Sequence, residues 1–385
     1  MALRIAKLIL VYLLAFPASP THVFAQSPGA RSAARELERF SVFTDGDLLL
    51  VPVTFNARQY LFAVDTGASV TMFDSSLVTM LGPPIREERA TAGNKEVVIP
   101  VYGNPGAHVG KLVARLGTPI VCTDLSGIRK FSGHAVYGCL GMDFLKDYVM
   151  RLDSDNGELR FSFASESTAR RLPLYWFKSC PAVDVTLNGL DAPRLFVLDT
   201  AHLGARTIDL SHSDFESLSK AGMLGTTVET ASQTVAGRQV VRSGHLGWLE
   251  LAGVRHKDVQ ADESLLNTLG LELCLHYNVT LDFPGSAAYF EVCRQNRSYS
   301  STDKSGLIIS RSGGMTLVEH VSVGSPAQRA GIHQGDLLIG IDSRDASALR
   351  LRTIRRLLSE EGKMVQLAIK RESLQASYKL LLGNW

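Results

Sequence analysis

The sequence predicts a mostly β protein: two similar β lobes that face each other, followed by a small α+β unit. Three observations carry that prediction. An apolar strand running straight into Asp-Thr occurs twice, at Asp65-Thr66 and Asp199-Thr200. Segments on either side of it repeat in the same order and at nearly constant spacing. Beyond residue 304 the texture changes to strand-like runs interleaved with two helix-like stretches.

The repeat is explicit. Val51-Pro-Val-Thr-Phe-Asn56 matches Val183-Asp-Val-Thr-Leu-Asn188 at an offset of 132 residues, and the aspartates lie 134 apart. Leu140-Gly-Met-Asp143 and the run to Asp153 match Leu269-Gly-Leu-Glu272 and the run to Asp282 at an offset of 129. A lone Asp-Thr-Gly recurs by chance. Three ordered matches indicate an internal duplication of roughly 120 residues.

Taken in order, residues 1–25 read as an export signal. Arg4 and Lys7 precede an apolar run from Leu8 to Ala18, and Val23-Phe24-Ala25 offers a cleavage site. The run is too short to span a bilayer comfortably. The expectation is an exported chain, periplasmic or secreted, with no stable membrane span after cleavage; an uncleaved anchor is the alternative. Residues 26–44 read as a loose or short helical lead-in.

Lobe one is expected over 45–168. Its strands fall at Leu48–Phe55, Tyr60–Val64, Val97–Val101, Ile120–Cys122, Val149–Leu152 and Leu159–Phe163, with Asp155-Asn156-Gly157 as a hairpin turn. Lobe two is expected over 169–293, with strands at Ala182–Leu187, Arg194–Leu198, Gln239–Ser243, Leu246–Leu251, Val279–Phe283 and Ala288–Val292. Asp214–Lys220 and Glu263–Thr268 read as short helices. The polar stretch 294–304 reads as a linker.

Composition sets the outer bounds. The chain has 385 residues and is 45% hydrophobic, enough for sizeable cores. Forty basic residues against 38 acidic give a net charge of +2, which argues against nucleic acid as a partner. Five cysteines (Cys122, Cys139, Cys180, Cys274 and Cys293) leave at least one thiol outside any intramolecular disulfide, and their spacing matches no zinc pattern. Cys139 and Cys274 sit in apolar runs and read as core thiols. Asn278 and Asn296 head glycosylation sequons, which matter only in a eukaryotic secretory pathway.

Two carboxylates brought face to face cannot both ionise cheaply; they share one proton and hold a water between them. Asp65-Thr66-Gly67-Ala68-Ser69 and the later Cys139-Leu140-Gly141 resemble the retropepsin-like and pepsin-like aspartic peptidases. The resemblance implies that Asp65 and Asp199 form a catalytic dyad. One ionised carboxylate takes a proton from water while its protonated neighbour polarises the peptide carbonyl. It implies that Thr66 and Thr200 hydrogen-bond across the lobe interface and that Ser69 orients the outer oxygen of Asp65. Leu140-Gly141 and Leu269-Gly270 would pack behind the loops. A flap is expected over the cleft, with Gly93 of Ala92-Gly93-Asn94 as the candidate tip and an ordinary hairpin as the alternative. The implied substrates are exported or cell-envelope polypeptides, with no metal or organic cofactor.

The second loop departs from that pattern. Ala201 stands where glycine is usual, and His202-Leu203 replaces the small residue and serine. A Cβ at 201 is expected to strain the turn by about 1 kcal/mol, more if φ is positive. The carboxylate remains, so the loop fits an active peptidase, or alternatively a pseudo-peptidase that binds peptides as an exported scaffold. His202 reads as a partly exposed loop histidine rather than a metal ligand or a tuner of Asp199.

Gly324-Ser-Pro-Ala, Ala330-Gly-Ile and Gly335-Asp make residues 305–385 resemble a PDZ domain. The resemblance implies strand addition by a peptide whose C-terminal carboxylate rests on loop amides, with Gly306, Leu307 and Ile308 as the candidate loop. A packing domain with an occluded groove is the alternative. Arg350, Arg352, Arg355 and Arg356 read as a solvated basic helix face. The combined architecture looks like a bacterial exported protein.

Overall fold

The structure, a computed structural model, describes residues 36–42, 48–92, 95–113, 120–202, 208–234, 237–294 and 303–383. The segment read as an export signal lies outside these residues. Strands account for 49% of the structure and helices for 15%, which makes the protein mostly β. No helix among the described residues is long and apolar enough to cross a membrane.

Two sheets repeat one design. In the first, the order is Arg86–Ala92, Lys95–Tyr102, Ile120–Thr123, Met72–Asp74, Val136–Leu140, Arg58–Val64, Leu50–Phe55, His108–Val109 and Leu112–Val113. In the second it is Tyr175–Phe177, Cys180–Leu187, Arg194–Asp199, Thr268–Gly270, Ile208–Ser211, Val254–Ser264, Gly237–Leu251 and Val228–Thr234. Each contains a parallel pair in which an aspartate-bearing strand lies beside a Leu-Gly strand: Val64 opposite Leu140, and Asp199 opposite Gly270. The entering hairpins are locally encoded. Leu50–Phe55 alternates buried and part-exposed positions, and Asn56 and Ala57 take positive φ to turn the chain. Asn188-Gly189 sits at the corresponding turn of the second copy, with Gly189 at φ +88°.

A third sheet joins the two halves. Its order is Glu36–Ser41, Glu158–Ser162, Val149–Asp153, Tyr277–Asp282, Ala287–Val292 and Arg171–Pro173. The central pair, Val149–Asp153 with Tyr277–Asp282, comes from the two copies of the repeat. One continuous apolar core, including Phe62, Phe73, Phe144, Phe196, Phe215 and Tyr277, runs through both.

The C-terminal unit has its own core, built on Ile309, Val318, Ile341, Ile354, Leu367 and Leu380. Its sheet runs Leu307–Ser312, Met315–Val321, Leu337–Ile341, Met364–Arg371 and Leu374–Leu381. The Pro326–Arg329 helix is capped by Ser325, whose hydroxyl accepts from Gln328 N, with proline just inside the first turn.

Four expectations need correction. Glu36–Ser41 of the lead-in is a strand paired with Glu158–Ser162, not a helix. Glu263–Thr268 is not helical: Glu263 and Ser264 end the Val254–Ser264 strand, and Thr268 begins the next. The two strands placed at Gln239–Ser243 and Leu246–Leu251 are one, Gly237–Leu251. Arg352 does not lie on a solvated face; it is buried in an ion pair with Glu272.

Candidate active site

Each aspartate reaches the centre because an apolar strand delivers it there. The last three residues of Arg58–Val64 are fully buried, and Asp65 N donates to Leu140 O at 3.0 Å. The Leu-Gly segment then clasps the loop from behind. Met142 N donates to Ala68 O at 2.7 Å, Asp143 N to Ser69 O at 3.2 Å, and Gly141 N to Thr71 Oγ1 at 3.1 Å. A methyl group at Gly141 would stand 2.4 Å from Val70 C, so only glycine lets the two backbones approach this closely.

The loops lock together symmetrically. Thr66 Oγ1 donates to Leu198 O at 2.7 Å, and Thr200 Oγ1 donates to Val64 O at 2.6 Å. Thr66 N donates to Thr200 Oγ1 at 3.2 Å, and Thr200 N to Thr66 Oγ1 at 3.1 Å. All four groups are buried, so removing either hydroxyl would orphan a carbonyl and an amide.

The carboxylates are held alike. Gly67 N donates to Asp65 Oδ1 at 3.0 Å, and Ala201 N donates to Asp199 Oδ1 at the same distance. Neither Gly67 nor Ala201 has a positive φ. The backbone strain expected at Ala201 is therefore absent, because this turn never enters the left-handed region where a Cβ is penalised. Ala201 instead packs against the apolar cluster of Ala68, Val70, Met72 and Cys139.

Gly67 is where the two carboxylates converge. Its amide holds Asp65, while a Cβ built on it would lie 2.7 Å from Asp199 Cγ and 2.9 Å from Asp199 Oδ2. Gly67→Ala is expected to push Asp199 out of place, costing about 1–3 kcal/mol. Ala201→Gly is expected to cost under about 1 kcal/mol. Thermal melts of the two variants check this asymmetry; equal losses would place Asp199 elsewhere.

Burial dominates the electrostatics. Asp65 is buried and its proton affinity is raised well above the ordinary carboxylate range, first by burial and then by the Asp199 charge. Asp199 is raised too, by burial, against the pull of the His202 side chain and of the Ala201 and His202 amides. His202 is a partly exposed loop residue, as expected, with its Nε2 3.6 Å from Asp209 Oδ1 and the two side chains 11% and 13% exposed.

One contact has no signal in the sequence. The Cys180 thiol donates to Gly67 O at 3.2 Å, tying the second sheet to the first loop. All five cysteines are free thiols. Cys139 and Cys180 are held protonated by burial and by the two aspartates, and burial pushes the Cys274 thiol up to about 12. They are packing groups rather than nucleophiles.

Gly93, the candidate flap tip, lies outside the described residues. Around it, Arg86–Ala92 and Lys95–Tyr102 form the expected hairpin. Val228–Thr234 and Gly237–Leu251 form its counterpart in the second sheet. In the C-terminal unit, Gly306 N donates to Asp303 Oδ2 at 2.5 Å and Leu307 N to Ser305 Oγ at 3.1 Å, while Ile308 sits in the strand ladder opposite His320.

Residues 51–144 match the aspartyl protease family, and residues 300–370 match the PDZ domain. The chain thus joins an aspartyl protease domain to a C-terminal PDZ domain. No curated protein matches it. Among solved structures it is similar to a photosystem II D1 C-terminal processing protease, at 24% identity and a TM-score of 0.21 over 24% of this chain and 25% of that one. It is also similar to an aminopeptidase N family protein from Idiomarina loihiensis, at 21% identity and a TM-score of 0.20 over 23% of this chain and 15% of that one. The chain therefore spans a quarter or less of either.

Proposed function

We propose that this protein is an aspartic endopeptidase in which Asp65 and Asp199 share one proton and activate a water between them. The observation that carries the reading is the mirrored pair of loops: the same Thr–Thr lock and the same amide-to-Oδ1 bond on both sides, with Ala201 unstrained. Burial of the pair favours retention of one proton at mildly acidic pH. The ionised member takes a proton from water, the protonated member polarises the scissile carbonyl, and the amide nitrogen leaves with a proton. The loop lock fixes both carboxylates before substrate arrives, so little reorganisation is left for the reaction. In this reading the hairpin around Gly93 closes over the cleft and Ser69 orients Asp65.

The C-terminal unit recruits or gates polypeptide substrates through their C-termini, and the N-terminal segment directs export to the periplasm or beyond. The test is hydrolysis of denatured casein by the chain from Gln26, scanned from pH 3 to 8, with products identified by mass. Internal cuts at acidic pH support an endopeptidase. A well-folded chain that makes no cut across the range is instead the peptide-binding pseudo-peptidase.

A further inference from the structure

The peptide-accepting side of the PDZ domain is already filled by this same chain. Among the described residues Leu307–Ser312 is an edge strand whose one strand partner is Met315–Val321. Its open side and the Leu351–Leu357 helix form the two walls of a groove. The Ser126–Ser132 helix of the protease domain packs against both walls.

The contact is specific. Arg355, on the groove helix, donates from Nη2 to Phe131 O at 2.6 Å and to Ile309 O on the edge strand at 3.0 Å. The same guanidinium lies 4.0 Å from the centre of the Phe131 ring. Gly133 closes the helix at φ +76°, and a methyl group added there would meet Leu351 Cδ1 at 3.3 Å and Arg311 Cβ at 3.6 Å. A backbone carbonyl, an aromatic side chain and a tight turn thus occupy the place of an added strand.

The loop at the end of the groove is occupied as well. Asp303 accepts from Gly306 N at 2.5 Å and from Ser305 Oγ at 2.6 Å. An internal carboxylate thereby sits where a peptide's terminal carboxylate would rest.

We propose that the PDZ groove is self-occupied, and that an outside peptide C-terminus enters only by displacing the Phe131–Gly133 turn and the Asp303 carboxylate. The Ser126–Ser132 helix is rooted in the protease domain: Arg129 Nη1 lies 2.7 Å from Asp74 Oδ2, and Asp74 ends the strand that follows the Asp65 loop. It also touches the Val228–Thr234 strand of the second sheet's hairpin. Peptide capture and docking of the Ser126–Ser132 helix in the groove are therefore alternatives. This rests on reading the C-terminal unit as a peptide-binding module, and not on peptidase activity.

The test uses the full chain from Gln26 and a displayed library of short random peptides with free C-termini. The best-captured sequence is then synthesised with a free and with an amidated terminus. Phe131→Ala, Arg355→Ala and Asp303→Ala are each expected to raise its affinity by about tenfold or more, since the cost of freeing the groove is removed. Amidation is expected to abolish binding. Arg355→Lys, which keeps the charge but loses the forked donor, is expected to fall between parent and Arg355→Ala. In the unmodified chain, saturating peptide is expected to speed hydrogen exchange at the amides of residues 129–134. Equal affinity in parent and variants, or a bound peptide that leaves that exchange unchanged, would overturn the proposal. So would an absence of capture by every form, which would make the contact a permanent joint. Because no readout involves cleavage, these outcomes stand apart from the fate of the casein test.

Discussion

Asp65→Asn and Asp199→Asn are each expected to lower casein cleavage by about a thousandfold or more, because half a dyad can neither activate water nor polarise the carbonyl. The same change at Asp65 is expected to stabilise the fold near neutral pH. The sign follows from the direction in which the folded chain moves the carboxyl. Burial and the Asp199 charge hold Asp65 well above its ordinary value of 3.8. Between the unfolded and folded values the native state binds the extra proton, so native stability falls as pH rises. It is fully present below about 3.8 and is lost as pH passes through the raised value. Asparagine keeps an acceptor for Gly67 N and never ionises. The melting temperature of Asp65→Asn minus that of the parent is therefore expected to grow with pH from 3 to 8. The gain is about 1.4 kcal/mol of stability for each tenfold by which folding tightens the carboxyl's hold on its proton. For Asp199→Asn the rise is expected to be smaller, because His202 and the loop amides oppose the effect of burial. Inactive variants whose stability difference is flat with pH would mean that the carboxylates sit in water and not in a closed pair.

What can be read from the chain is what the chain encodes locally. The duplication, both aspartates, both threonines and the Leu-Gly segments lie in short apolar runs whose spacing repeats, and the structure brings them together around Gly67. The PDZ domain is legible for the same reason, since its helix caps and glycine turns are consecutive residues.

The parts that are not legible depend on partners far along the chain. Glu36–Ser41 is a strand because Glu158–Ser162 offers it an edge, and its own sequence has no strong β period. Gly237–Leu251 carries Arg242, Ser243 and Gly244 through its middle, so period alone splits it. Arg242 is held there by ion pairs to Glu216 and Glu263. Ala201 implies strain only if residue type reports φ; the turn at both loops is of a kind alanine adopts freely. The basic helix face is the most instructive case. Arg350 and Arg356 are exposed as expected, but Arg352 and Arg355 meet groups 80 and 224 residues away.

That last contact sets the second large effect. Arg352 Nη2 and Glu272 Oε2 are 2.5 Å apart, with side chains only 9% and 8% exposed. Glu272 lies two residues beyond Gly270, the strand partner of Asp199, so the PDZ domain is anchored directly behind the second aspartate loop. Arg352→Met is expected to cost about 3–5 kcal/mol, because it leaves a buried carboxylate without its cation. Glu272→Leu alone is expected to cost a similar amount for the converse reason. The double variant Arg352→Met with Glu272→Leu is expected to return to within about 1–2 kcal/mol of the parent, since an apolar pair of similar volume removes both desolvation costs. Chemical denaturation of the four proteins measures this cycle, and casein cleavage is read beside it. Recovered stability with recovered cleavage would make the pair a joint whose chemistry is replaceable. Recovered stability with cleavage still depressed would mean that the charge itself helps to place Gly270, and through it Asp199. Additive losses in the double variant would show that the two side chains are not paired at all.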